Sequence, residues 1–324
     1  MKTLIITESY LPNLGGVEKH IASTLPYLQA AGFEIEIISK REIMGNTELP
    51  KFFGLFKIWW EIRKKIKLIK EAEIIFIHDV FIYYLPFKLI FPRKKVITIF
   101  HGWEKIYPVP LKNIFYKKIA QKLSYKTISI GKYINKYYQL ENKNNYLSYG
   151  AVDFPKKEIN VFSKEKDSFL FIGRLEKDTG LSIFLELLNN LSTKNINFSV
   201  KFCGDGPMRQ SCQKYGEVLG FTDVKKYLEK SEVCFAGGYL AILEAMAYKN
   251  IVLSAYENDL KKDYLLQSPF AETIACSNNA KNLLENYLFI KRNNELLEKN
   301  YQLAKKYNFE NLANLYIQLS KNSN

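Results

Sequence analysis

The residues best equipped to do chemistry lie in four glycine-bearing loops. The first is Pro12-Asn13-Leu14-Gly15-Gly16-Val17-Glu18-Lys19-His20. A glycine pair lets backbone approach a ligand closely, and a helix starting there offers free N–H groups and partial positive charge to a phosphate. The second is Gly173-Arg174-Leu175, where a guanidinium can grip a diphosphate through two parallel hydrogen bonds. The third, Gly204-Asp205-Gly206-Pro207, makes a tight turn. The fourth runs Gly237-Gly238-Tyr239-Leu240-Ala241-Ile242-Leu243-Glu244. Its glycines can offer backbone N–H groups, and the Glu244 carboxylate can accept from two vicinal ribose hydroxyls. Taken singly, each loop also reads as a turn, Arg174 as a surface arginine and Glu244 as a helix-surface acid.

Their order is more informative than any one of them. Short apolar runs at 3–7, 33–39, 74–77 and 96–99 read as strands, with a helix over 17–31 that Gly32 ends as a left-handed cap. The pattern restarts with strands at 169–172, 197–202, 233–235 and 251–254, and helices over 181–191 and 240–248. Strands alternating with helices predict βαβ units and parallel sheets. All four loops then fall at strand C-terminal ends, the edge at which open α/β sheets bind ligands. The polar, proline-bearing stretch 153–167 reads as a hinge. The expected domains are 1–155 and 156–306, followed by a terminal helix over 307–324. No repeat of solenoid length is visible.

Composition narrows the function class. The 324 residues are 47% hydrophobic and 25% charged, as in a globular protein. Cys203, Cys212, Cys234 and Cys276 lack metal-ligand spacing, so no zinc site is expected. The opening Met1-Lys2-Thr3-Leu4-Ile5-Ile6-Thr7-Glu8 does not read as a secretory signal, since an acid interrupts a very short apolar run. The apolar stretch 80–91 is too short to span a bilayer. These features predict a cytoplasmic protein. The net charge of +14 attracts anions, although no recognition module for nucleic acid is present and none is expected as a partner.

The chain resembles glycosyltransferase family 4. The resemblance spans nearly the whole sequence: the Pro12–His20 loop, Thr98-Ile99-Phe100-His101-Gly102-Trp103-Glu104, Gly150-Ala151-Val152-Asp153, the 173–175 and 204–207 loops, Leu243-Glu244-Ala245-Met246-Ala247, and Tyr307-Asn308-Phe309-Glu310. It implies an α/β, GT-B fold: two facing Rossmann-like domains, with a C-terminal helix crossing back to the first. It implies retaining, metal-independent transfer of a hexosyl group from a nucleotide diphosphate sugar to a glycan or lipid-linked acceptor, with no cofactor. By the same resemblance Arg174 binds the donor diphosphate, Glu244 the ribose, Gly16 the distal phosphate through its N–H, and His101 a hydroxyl of the transferred sugar. Phe221 falls beside the base. Gly15, Gly204, Gly206, Gly237, Gly238, Tyr239 and Leu240 complete the donor-binding set, and acceptor contacts come from loops 40–50 and 103–110.

Two positions depart from the family pattern. Thr179 stands where a lysine is usual, and Ala236 where a second glutamate is usual. Lys177, two residues early, Thr179 itself and the Gly237 and Gly238 N–H groups are candidate substitutes. The losses also motivate a second reading, an inert homologue that binds a nucleotide sugar as partner or regulator. A sugar-nucleotide epimerase is a third. His78 reads as a supporting residue at a strand end, and His20 as a packing or surface residue. Finally, Leu55, Ile58, Trp59, Ile62, Ile66 and Ile69 form an apolar helical stripe backed by lysines. Phe53 and Trp60 lie off that stripe among basic residues, a pattern suited to peripheral contact with an anionic membrane.

Overall fold

The computed structural model describes residues 1–11, 15–45, 51–102 and 106–321. Pro12, Asn13 and Leu14 of the first glycine loop, and parts of the two acceptor loops (46–50 and 103–105), lie outside the described residues. The chain divides into two compact units, one of residues 1–148 with 309–324 and one of residues 149–308.

The first unit holds a six-stranded sheet of β1 (Lys2–Thr7), β2 (Glu34–Ser39), β3 (Ile74–His78), β4 (Lys95–Phe100), β5 (Lys126–Ile130) and β6 (Asn145–Ser148). Their order is β2-β1-β3-β4-β5-β6, and every pairing is parallel. Residues Ile74–His78 are all buried. A β-branched and aromatic run of this kind suits a strand covered on both faces. Its register sets His78 opposite Ile99, so His78 and His101 leave the sheet at the same edge. The final helix, Phe309–Lys321, packs into this unit. Tyr316 stacks on Phe76 with centroids 5.1 Å apart, and the Lys126 ammonium donates to the Leu319 carbonyl at 3.2 Å.

The second unit repeats the plan with β7 (Glu165–Ile172), β8 (Ser199–Cys203), β9 (Glu217–Gly220), β10 (Ser231–Ala236), β11 (Ile251–Ala255) and β12 (Ala275–Ser277). The order is β12-β11-β10-β7-β8-β9, all parallel. The chain winds outward from β7 to β9 and then returns to β10 on the other side of β7. The topological switch point therefore lies between β7 and β10. Phe171, Phe184 and Phe235 stack at its core, the last two with centroids 4.6 Å apart.

Two local expectations differ from the structure. The whole 153–167 stretch expected as a hinge belongs to the second unit. The Lys164 ammonium is buried and donates to the carbonyls of Leu228 and Ser231 at 2.8 and 2.9 Å. The Val152 N–H, just before that stretch, donates to Tyr307 at 2.8 Å. These bonds fix a segment whose composition alone reads as mobile. The apolar stripe at 55–69 is split between two helices, Lys51–Lys64 and Ile66–Glu71. Ile58, Ile62 and Ile69 are buried as the periodicity requires, while Phe53 and Trp60 are 66% and 56% exposed. No helix among the described residues is long and apolar enough to cross a membrane.

Candidate functional site

At the switch point of the second sheet, the loops after β7 and β8 are built against each other. The Gly173 N–H donates to Cys203, Leu175 to Asp205, and Met208 back to Leu175, at 3.1, 2.9 and 3.0 Å. Gly204 and Gly206 permit this closeness. Each has positive φ (151° and 156°), and a Cβ on them would come within 1.8 Å of the Gly173 oxygen and 2.6 Å of the Leu175 oxygen. Asp205 secures the turn by accepting from the Gly206 N–H at 2.8 Å and from Arg209 at 3.0 Å.

Arg174 emerges from this double loop, with its side chain about a third exposed. Its guanidinium donates to Glu176 and, at 2.7 Å, to Asp178. Two carboxylates thus hold a planar five-donor group in one orientation. Thr179 is buried and its hydroxyl is turned inward, donating to the carbonyls of Glu176 and Arg174 at 2.6 and 3.2 Å. Lys177 is exposed. Gly237, after β10, packs on this loop so closely that a Cβ would sit 2.8 Å from the Thr179 oxygen.

The helix Tyr239–Ala247 follows, capped by extended Gly238. Tyr239 is buried, stacked on Tyr264 at 3.9 Å and 9°, and its N–H donates to the Tyr264 hydroxyl at 2.5 Å. Leu240 is half-buried. Glu244 is only 7% exposed, so it does not lie on the helix surface. Ala236 is fully buried. Phe221, just past β9, is 74% exposed and presents a free-standing aromatic face.

Sequence reasoning missed one charged group here. Lys261, in the first turn of the helix Asp259–Leu266 that follows β11, is 6% exposed. Asn258 caps that helix by accepting from the Lys261 N–H at 2.9 Å. The Lys261 ammonium donates to the Gly237 carbonyl and lies 4.3 Å from the Tyr264 ring centroid. Burial lowers its pKa to about 8; Asp178 opposes this shift and Arg174 adds to it. Lysine defaults to the surface, and more than eighty positions separate this one from Arg174, so no local signal announces it.

In the first unit, Gly15 caps the helix Gly16–Ala30. A Cβ on Gly15 would strike the Glu18 carboxylate, which accepts from Ser9, whereas a Cβ on Gly16 would meet nothing within 4 Å. At the edge of the same sheet, three histidines converge. His78 Nδ1 and His101 Nε2 share a proton across 3.0 Å. The His20 and His101 rings meet edge-on at 4.9 Å, and His20 Nε2 bonds the Tyr316 hydroxyl at 2.8 Å. Burial pushes the His20 and His78 pKa values well below the ordinary histidine range, and the charge of His101 adds to both shifts. His101 is lowered too, by burial, although Asp79 opposes the shift. Neutral imidazoles at ordinary pH follow.

The His101 backbone is held from several sides. Its N–H donates to both Asp79 oxygens at 3.1 Å. The Tyr133 hydroxyl donates to its carbonyl at 3.3 Å, and Tyr138 to that of Gly102 at 2.7 Å. Lys117, only 6% exposed, pairs with Asp79 at 2.9 Å. Burial tends to raise the Asp79 pKa, but the charges of Lys117 and His101 win and leave it below its usual value. Nitrogens of His20, His78 and His101 lie within 4.8 Å of one another, which among the described residues is the one histidine, cysteine or carboxylate grouping compact enough for a metal. His78 and His101 bond each other and His20 bonds Tyr316, so the cluster is built of two hydrogen-bonded pairs that meet at the edge-on His20–His101 contact.

The predicted donor residues thus fall into two sets. Arg174, Thr179, Gly204, Gly206, Gly237 and Gly238 line one strand-end region of the second unit, with Tyr239, Leu240 and Glu244 on the helix leading from it and Lys177 and Phe221 exposed. Gly15, Gly16 and His101 belong to the first unit. Asp79, Lys117, Tyr133, Tyr138 and Tyr316, which position His101 and its neighbours, were not singled out from sequence.

Comparison with known proteins agrees with this architecture. Residues 166–265, the heart of the second unit, match the family model described as glycosyl transferases group 1. None of the curated proteins matches the chain in sequence. Among solved structures, Anabaena HepE in complex with UDP and glucose has a TM-score of 0.69 at 11% identity, covering 98% of each chain. The lipopolysaccharide outer core galactosyltransferase WaaB has a TM-score of 0.63 at 14% identity, covering 98% of this chain and 99% of its own. A putative UDP-N-acetylglucosamine 2-epimerase from Listeria monocytogenes also scores 0.63 at 14% identity, covering 98% of this chain and 94% of its own. At such identities the likeness speaks for the fold, which is GT-B: two parallel six-stranded sheets clothed in helices.

Proposed function

We propose that this protein is a glycosyltransferase that takes a hexosyl group from a nucleoside diphosphate sugar and passes it, with retention and without a metal, to a glycan or lipid-linked acceptor. The observation that carries the reading is the interlocked pair of loops at the switch point. Its Gly204 and Gly206 cannot be replaced without collision, it presents Arg174, and it lies inside the stretch that matches the group 1 glycosyl transferases.

In this reading the Arg174 guanidinium and the backbone N–H groups of Gly237 and Gly238 take the donor diphosphate, Glu244 the ribose and Phe221 the base. Gly204 and Gly206 allow the turn to approach the ligand. His101 takes a hydroxyl of the transferred sugar as a neutral imidazole, and the Gly16 N–H takes the distal phosphate, beside Gly15. The bond from the anomeric carbon to the leaving phosphate breaks, and the acceptor oxygen attacks on the same face. The departing phosphate oxygen takes the acceptor proton. The protein's share is positioning and stabilisation of developing charge, so no enzyme nucleophile is required. A cytoplasmic protein held against an anionic membrane surface would suit a lipid-linked acceptor.

The inward-facing Thr179 hydroxyl and the buried Ala236 methyl favour a second reading, a homologue that binds donor without turnover. A thermal-shift screen of UDP-, GDP- and ADP-sugars, with nucleotide release followed in parallel, separates the two. Ligand at a hundred times its Kd adds about 2.7 kcal/mol of stability. A shift with slow donor hydrolysis supports transfer, and a shift without release supports the inert homologue. If Arg174→Ala leaves the shift unchanged, the assignment of the site is wrong.

A further inference from the structure

A diphosphate brings two negative charges to a small volume, and a cluster that holds it must answer them. Arg174, the cation presented by the interlocked loops, is already matched by Glu176 and Asp178, and Lys177 on the same loop is turned to solvent. The loop position from which a second cation would come is occupied by Thr179, whose hydroxyl is turned into its own loop. Yet a positive charge does arrive at this place from elsewhere. Lys261 rises from the helix after β11 and bonds the Gly237 carbonyl. Gly237 is the residue that packs on Thr179. The ammonium is also close enough to feel both Asp178 and Arg174.

We propose that Lys261 supplies the second positive charge of the nucleoside diphosphate site, from beneath the Gly237 turn, in place of the lysine that Thr179 replaces. The inference rests on the donor-binding reading above and adds a residue to it. Three features set this lysine apart from an ordinary buried one. Its helix is fixed by the Asn258 cap at the Lys261 N–H itself. Its ammonium lies over the face of Tyr264, whose hydroxyl in turn accepts from the Tyr239 N–H. Its charge therefore stands under the turn that leads into the Tyr239–Ala247 helix, where an anion is favoured. Lys164 provides the internal comparison. It is also buried in the second unit, with its pKa lowered to about 8 by burial. It sits at the opposite edge of the sheet, tied to the carbonyls of Leu228 and Ser231, and there it holds backbone together.

The test measures Kd by calorimetry for a nucleoside diphosphate and its parent nucleoside, choosing among UDP, GDP and ADP the one that binds wild-type protein. Lys261→Met keeps the stem and removes the charge. It should weaken diphosphate binding roughly ten- to a hundred-fold and leave the nucleoside unchanged. Thr179→Lys on the Lys261→Met background should restore much of the loss by returning the cation to the loop. Lys164→Met should lower the melting temperature without moving either Kd. Diphosphate affinity should fall as pH rises through about 8 in the wild type and lose that limb in Lys261→Met. Equal diphosphate affinity in wild type and Lys261→Met overturns the proposal. So does an equal loss for diphosphate and nucleoside, which marks a purely structural role. If none of the three diphosphates binds wild-type protein, the donor-binding reading itself fails.

Discussion

At the residue scale, the buried histidines make a pH-dependent statement about stability. His20 and His78 have native pKa values well below the ordinary 6.5, so below that pH the unfolded chain binds protons that the folded chain refuses. Stability from these groups is complete above about pH 6.5 and is lost as pH falls below it, by about 1.4 kcal/mol per pH unit for each histidine that titrates only when unfolded. Asp79 acts in the same direction in a separate, more acid window, because its carboxyl is lowered below 3.8. We expect the midpoint of chemical denaturation to decline between about pH 6.5 and 5, and His78→Gln, although less stable at neutral pH, to show a flatter decline. A wild-type midpoint that holds constant over that interval would mean the imidazoles protonate freely in the native state. The pairing of His78 with His101 was only partly legible. The Ile74–Ile77 run places His78 at a strand end, but nothing in the spacing shows that β3 and β4 lie side by side with His78 opposite Ile99. Tyr316, the hydrogen-bond partner of His20, is nearly three hundred residues from it.

At the element scale, the glycines of the two strand-end regions divide by what a methyl group would meet. Gly204 and Gly206 combine positive φ with a backbone oxygen in the way. Gly204→Ala and Gly206→Ala should therefore each cost roughly 1–3 kcal/mol, read as a shift in the urea midpoint of the second unit. Gly16→Ala, with open space around it and an N-terminal helical position, should not lower the midpoint of the first unit, to which it belongs, and should act on ligand affinity. A Gly204→Ala protein as stable as wild type would show that the two loops are not interlocked as described. Glycine placement was readable because the turns are local. The long buried strands were readable for the same reason, as in the run at Ile74–His78. The strands not legible in the sequence are short or disguised: β12 is Ala275–Ser277, β9 is Glu217–Gly220, β6 is Asn145–Ser148 and β5 carries Lys126 at its start. Their strand character comes from parallel neighbours rather than from their own side chains. Lys117 and Lys261 were missed for a related reason, since only tertiary partners make a lysine a core residue.

At the scale of the whole molecule, the net charge of +14 is not spread as a neutral coat. The Lys51–Lys64 helix exposes Phe53 and Trp60 near Arg63 and Lys64, and Arg63 lies 5.3 Å above the Trp60 ring. The Leu111–Leu123 helix exposes Leu111 (82%) and Phe115 (60%) among Lys112, Lys118 and Lys122. Both helices pack against the Phe81–Ile90 helix, whose end exposes Leu89 and Ile90. Apolar side chains standing among basic ones on neighbouring helices gain twice at an anionic bilayer, from burial and from about 1 kcal/mol per basic residue near the surface. The protein should therefore sediment with vesicles containing phosphatidylglycerol and not with phosphatidylcholine alone. The bound fraction should fall as salt is raised from about 0.05 to about 0.5 M, because screening shortens the reach of the lysines. Trp60→Ser combined with Phe115→Ser should weaken the association roughly tenfold or more without changing net charge. Binding that ignores both salt and the aromatic substitutions would assign the charge to general solubility and leave the acceptor to be met in solution.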